Sequence, residues 1–355
     1  MGILLNILVF VFVMGVIVIV HEMGHLIAAK SFGVYCKEFA VGMGPKIYEY
    51  QSKKSETTYS VRALPIGGFV AMAGEPGEMG MEDVPLERTI NGIAPWKRLI
   101  VMLAGVFMNL VLAFIVFGSI FGVNGVIREP EPIVQNVVEG YPAKEAGLLA
   151  GDRIVEMKFY DGTVVKPKTF TDASIAIMTF EDNPIKVDVL RDDKILSFTV
   201  TPIYNEDSDT FVMGIQSVSG ALEKAGFIET IRFTGSYIIK MITQILMILK
   251  LLVRGIGVDN VGGPIAIYQE TSKVMESGFN ALYLFNIIGS LSVSLAVMNL
   301  IPIPVFDGGR ALLTVIEMII RRPIPEKLEN FVMLLGFAMA LLIMIFFVFK
   351  DIKRF

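Results

Sequence analysis

His21 and His25 stand four residues apart with Glu22 following the first, and they are the two histidines of the whole chain. In a helix, residues four apart share one face. Both imidazoles can then offer a nitrogen to one ion, at the ~2.0–2.1 Å that zinc takes. Glu22 beside that ion could accept a proton from a water whose pKa the metal lowers to about 7, and pass it to a leaving amine. That is peptide-hydrolysis chemistry, with Glu22 as candidate general base. A bare His-Glu-x-x-His match also arises by chance, and a pair of structural histidines is the plain alternative. The metal reading is favoured because both histidines fall in one motif inside an apolar segment, where ionisable groups are costly.

Catalytic zinc takes three protein ligands and keeps one position open, and since no third histidine exists a carboxylate must complete the set. The motif lies ~20 residues, or ~30 Å of helix, from the N-terminus, so its partner must share that depth. Asp307 does so, in Asn299-Leu-Ile-Pro302-Ile-Pro-Val-Phe-Asp307-Gly-Gly, just past a later apolar segment. The prolines break the helix, and Gly308 and Gly309 leave room, so Asp307 is expected to turn inward from a non-helical segment. Glu317 and Glu270 are weaker candidates. The ligand types point to Zn2+.

These residues need a scaffold in hydrocarbon. The 355 residues are 54% hydrophobic with mean hydropathy +0.63, above what a soluble globular chain carries. Ile3–Ala29, Leu99–Val126, Leu282–Val305 and Phe331–Phe349 are each near the ~20 apolar residues that cross a bilayer, giving about four transmembrane helices. The first has no basic leader or small-residue cleavage site, so it is expected to stay attached. Lys30, Lys37, Lys46, Lys53, Lys54, Lys97 and Arg98 between the first two spans, and Arg310, Arg321, Arg322 and Lys327 between the last two, put both connections in the cytoplasm. The tail with Lys350, Lys353 and Arg354 would lie outside, against that rule. Ile231–Val253 is apolar but interrupted by Arg232, Lys240 and Lys250. Because a fifth crossing would carry Asp307 outside, it is expected to lie along the outer surface, followed by a Gly262-Gly263-Pro264 turn. A net charge of -4 leaves no footprint for nucleic acid, and the single Cys36 cannot form an intrachain disulfide.

Between the second and third spans, short β-rich runs such as Ile185–Leu190 and Leu196–Val200 alternate with polar turns. There Tyr141-Pro-Ala-Lys-Glu-Ala-Gly-Leu-Leu-Ala-Gly-Asp-Arg-Ile154 resembles the bacterial PDZ pattern, which implies one peptide-binding α+β domain outside the cytoplasm. The expected divisions are a first membrane half at 1–127, the PDZ-like domain at 128–203, a linker with the surface helix at 204–281 and a second membrane half at 282–355.

Taken together, His21-Glu22-x-x-His25, Gly105-x-x-x-Asn109 and Asn299 to Gly308 resemble the bacterial site-2 protease family, the regulator of sigma-E protease and its Gram-positive counterparts. The resemblance covers nearly the whole length. It departs at Phe306, where leucine is usual, and at Arg310, where histidine often follows the glycines. It implies an intramembrane zinc endopeptidase of a bacterial inner (cytoplasmic) membrane that cleaves single-span membrane proteins, such as anti-sigma factors, and remnant signal peptides. Phe39–Pro45 and Tyr59–Phe69 look like β segments and resemble the family's membrane-associated β-hairpin. A strand edge there could hold an unwound substrate by its backbone, with Gly67 and Gly68 permitting close approach. Asn109, Asn299 and Pro302 join them as candidate substrate-binding residues, with the satisfaction of buried helix ends as the plain alternative for the two asparagines. The partners expected are therefore single-span membrane proteins, lipid and a peptide for the PDZ-like domain. A silent scaffold, a metal transporter and a merely anchored soluble-type protease are the rivals. Respectively, they leave the motif unexplained, require polar residues spread along a pathway, and require the motif outside the membrane.

Overall fold

The structure is a computed structural model describing residues 2–51, 53, 55–75, 81, 83–128, 130–206, 210–217, 221–254, 264–276 and 280–354. The expected Gly262-Gly263 turn lies outside these residues. Two compact units divide the chain: Met1–Ile120 with Ile231–Ile245 and Gly262–Phe355, and Phe121–Thr230 with Leu246–Val261.

In the first unit, α1 (Gly2–Ser31) leads into β1 (Cys36–Gln51) and β2 (Thr58–Met72), and then α2 (Pro95–Asn124). Among the described residues, Leu4–Ser31, Pro95–Asn124, Phe227–Leu252, Ala281–Leu300 and Lys327–Lys350 are helices long and apolar enough to cross a membrane. Four of them coincide with the expected spans; the other covers Ile231–Val253 up to Leu252. Large apolar side chains face outward, Leu334 at 65% and Leu342 at 67% exposure, as lipid-facing positions do.

The third expected span stops at Leu300, short of Val305. Pro302 lacks the N–H the next turn needs and forces its predecessor extended, and Ile301 has φ -61° and ψ 138°. The second expected span likewise ends at Asn124, because Val126 starts a strand.

The β1–β2 pair folds back on itself. Glu38–Val41 pairs on one side with Gly68–Ala71 and on the other with Thr58–Val61, which in turn pairs with Tyr48–Gln51. Glu38 is buried at the centre of this sheet, taking hydrogen bonds from Ser60 Oγ at 2.5 Å and Arg62 Nη2 at 2.8 Å. Burial alone would raise its carboxyl pKa, but the Ser60 and Arg62 donors hold it below the ordinary value. That contribution to stability is present above the ordinary carboxylate pKa and fades as pH falls through the lowered one.

The second unit comprises β3 (Val126–Arg128), β4 (Asn136–Val137), α3 (Pro142–Glu145), β5 (Arg153–Lys158), β6 (Val164–Val165), α4 (Phe170–Phe180), β7 (Ile185–Arg191), β8 (Lys194–Val200), β9 (Ile203–Asn205), β10 (Thr210–Val212), β11 (Ile215–Gln216) and β12 (Ala221–Glu223). β6-β5-β7-β8 form a sheet. Its β7–β8 turn uses Asp192 and Asp193, both at positive φ, as two-residue hairpins require. Ala173, Ile177 and Phe180 of α4 share a core with Met157, Val187 and Val189. Asp152 is fully buried, accepts from Arg191 at 2.6 and 2.7 Å, and accepts from the Leu149 amide at 2.9 Å. Its loss strands a partly buried guanidinium, so Asp152→Ala should destabilise this unit by about 2–3 kcal/mol. Denaturant-dependent hydrogen exchange on the full chain reads this; unchanged protection of the β5 and β7 amides would refute it.

The chain continues through α5 (Phe227–Val253), α6 (Pro264–Glu276), α7 (Ala281–Leu300), α8 (Asp307–Ile320) and α9 (Glu326–Arg354). α5 gives Ile231–Ile245 to the first unit, and its flanks to the second.

Candidate metal centre

Close helix packing builds the site. A Cβ on Gly24 of α1 would lie 2.3 Å from the Ala104 carbonyl oxygen, and one on Gly105 of α2 would lie 2.4 Å from His25 Nε2 and 2.6 Å from His21 Cε1. The backbone of α2 therefore backs directly onto both rings. Gly308 and Gly309 do the same for the acid: a Cβ on either would lie 2.2 Å from the carbonyl oxygen of Leu300 or Ile303. The proline turn thus rests on the start of α8. Asp307 is the first residue of that helix, a correction to the non-helical placement expected, since the turn ends one residue earlier at Phe306.

His21 Nε2 and His25 Nε2 are 3.3 Å apart, and Asp307 Oδ2 is 3.2 and 3.4 Å from them. Tetrahedral ligands at ~2.0–2.1 Å stand ~3.3–3.4 Å from one another, so the triangle already has the dimensions of a zinc face. Asp307 Oδ2 is buried with no hydrogen-bond partner, an expensive condition unless a cation takes its lone pair. Among the described residues, this is the one group of three or more His, Cys, Asp or Glu so converging.

The rings are oriented from behind. His25 Nδ1 is 2.8 Å from the Val101 carbonyl, so it donates there and presents a bare Nε2. Asn109 is fully buried, its amide nitrogen is 3.2 Å from His21 Nδ1, and its Oδ1 has no partner. Turning that amide over lets Oδ1 accept from a protonated Nδ1. Ser292 Oγ donates to the Asn109 carbonyl at 2.9 Å, tying α7 to α2. Asn299 Nδ2 is 3.3 Å from His21 Nε2.

A cavity of about 430 Å³ opens on the triangle, with Glu22, Met43, Gly68, Phe69, Glu75 and Arg310 in its wall. A Cβ on Gly68 would lie 2.8 Å from the Ala40 carbonyl oxygen and 3.4 Å from Glu22 Cγ, so the Gly68–Ala71 strand lies against the helix bearing Glu22. Gly67 beside it has φ +73°. Pro302 is exposed in the turn. Glu317 is engaged elsewhere, paired with Arg98 and accepting from the Ile324 amide at 2.7 Å; the side chain of Glu270 lies outside the described residues. Sequence analysis did not single out Val101, Ser292 or Glu75, which meet the site across long separations that leave no local pattern. The Gly105 to Asn109 spacing was a visible signal, though its purpose was not.

Two helix-borne histidines, a carboxylate closing their triangle and an acid next to the first are the donor set and base that a metallopeptidase requires. Residues 9–343 match the profile of peptidase family M50, and the chain belongs to that family. Relatives include proteins provisionally named zinc metalloproteases in Clostridium perfringens, 37% identical over 338 residues and 95% of each chain, and in Clostridium acetobutylicum, 33% identical over 348 residues, 98% of this chain and 97% of the other. The regulator of sigma-W protease RasP of Bacillus subtilis is 29% identical over 426 residues, 98% of each.

Proposed function

We propose that the chain is a zinc endopeptidase that cuts the transmembrane segments of single-span proteins in a bacterial cytoplasmic membrane. The observation that carries this is the zinc-sized triangle of His21, His25 and Asp307 built on a helix long and apolar enough to span a bilayer. Zinc held there would polarise the scissile carbonyl and lower the pKa of water. Glu22 takes the proton released as the water oxygen bonds to the carbonyl carbon, and delivers it to the nitrogen as the C–N bond breaks. Asn299 is placed to donate to the developing oxyanion. A substrate helix must first unwind, and the Gly68–Ala71 strand, paired on its Glu38–Val41 side, offers backbone groups to the opened segment.

The second unit is assigned as the PDZ-like module. Its groove of about 290 Å³ between α4 and the β10–β11 segment suits a peptide or a filter on substrate size. Both flanks of α5 belong to this unit. A fifth crossing would carry Asp307 to the face opposite the histidines, so α5 is read as a surface helix, leaving four spans. The name of the Bacillus relative supports membrane-bound anti-sigma factors as one substrate class, alongside remnant signal peptides. A silent scaffold would leave the metal triangle without a purpose.

In reconstituted vesicles a tagged single-span substrate should be cut within its apolar segment, and a zinc chelator should stop the cut. Product masses locate the bond, and cuts confined to soluble flanks would overturn the intramembrane assignment. Asn109 is assigned to positioning His21, beside the substrate role its motif suggested. Asn109→Leu should therefore weaken zinc binding about 10–100-fold, read by competition with a calibrated chelator; unchanged affinity would return Asn109 to substrate contact alone.

A further inference from the structure

The metal cavity shares a wall with a second cavity in the same unit. Glu75, Met102 and Arg310 line both, and the second continues past them to Asn91, Arg98, Glu317 and Glu329. Arg310 Nη1 donates to Glu75 Oε1 at 2.5 Å, with the two side chains 29% and 9% exposed. The partners come from different elements. Glu75 follows β2, whose Gly68–Ala71 segment lies against Glu22, and Arg310 sits one turn beyond Asp307. Away from this ion pair, Gly68 and the site's histidines and acids, the metal cavity is walled by Met43, Phe69, Val70, Met72, Met102 and Val305.

Hydrolysis consumes a water and leaves a carboxylate and an amine, none of which passes an apolar wall cheaply. Beyond the ion pair lies a narrow space of about 20 Å³, room for a single water, where Asn91, Arg98, Glu317 and Glu329 stand among Ile90, Leu313 and Ile324. A half-buried pair of this kind is strong enough to hold the wall and weak enough to open locally.

We propose that Glu75–Arg310 is a latch on a polar port: closed, it shields the metal site, and open, it joins the two cavities so that water enters and charged product ends leave. A substrate strand added along Gly68–Ala71 pulls on the chain that carries Glu75, so engagement and opening are coupled. The inference rests on the hydrolytic assignment, but its test needs no cleavage.

In a Cys36→Ala background, Met72→Cys places a thiol at a residue that is 4% exposed and lines the metal cavity. The full-length chain in vesicles is treated with a small charged methanethiosulfonate, and zinc content is measured alongside to establish that the site is intact. Glu75→Gln and Arg310→Gln should each speed labelling about tenfold, and the exchange of Glu75→Arg with Arg310→Glu should restore the slow rate. The milder Arg310→Lys should fall between them. Labelling that is unchanged in the single variants, or equally fast in the exchanged pair with zinc retained, overturns the latch. Failure of the protease assignment would show separately, as absent cleavage with labelling behaviour intact.

Discussion

Glu22→Gln should lower cleavage of a single-span substrate by about 10²–10⁴-fold, the range a positioned general base supplies, while bound zinc stays equimolar. The substitution keeps the shape and removes the proton-accepting charge. The His21, His25 and Asp307 donor atoms, which set the triangle, are untouched. Metal analysis and a cleavage assay on the same preparation separate the two effects. Normal cleavage by Glu22→Gln would remove the hydrolytic mechanism, whereas joint loss of zinc and cleavage would make Glu22 a structural support of the site.

Gly105→Ala is expected to empty the metal centre without touching a ligand. The added methyl would need the space of His25 Nε2 at 2.4 Å and His21 Cε1 at 2.6 Å, so α2 must retreat or the rings must turn. A triangle with edges of 3.2–3.4 Å tolerates shifts of only a few tenths of an ångström before zinc geometry is lost. Zinc affinity should fall by at least about 100-fold and activity with it. Gly15→Ala, on α1 with nothing within 4 Å, is the control and should leave both unchanged. Full zinc and full activity in Gly105→Ala would show that the helices separate more easily than their packing suggests.

The His-Glu-x-x-His motif was legible because its chemistry is local: His21, Glu22 and His25 share one helical turn, and residue type with spacing is enough. Asp307 followed from what the histidines lacked and from depth. Its local setting was less legible, since hydropathy carried the third span to Val305 where Pro302 had already ended it at Leu300. The β segments were visible as runs, but periodicity does not state which runs pair, so the two-sided pairing of Glu38–Val41 was beyond reach. The same holds for Asn109. Its motif could be matched, yet its contact with His21 Nδ1 exists only because α1 and α2 meet at Gly24 and Gly105.

In the proposed mechanism Gly68–Ala71 holds the opened substrate through main-chain groups. Main-chain groups are the same in every polypeptide, so an edge of this kind has no means of reading a sequence. Under that proposal, selection falls on the substrate's own willingness to give up its helix: segments with helix-weakening residues near the depth of the metal would become substrates, and uniformly strong helices would pass untouched. Such an enzyme samples the stability of the membrane proteins around it.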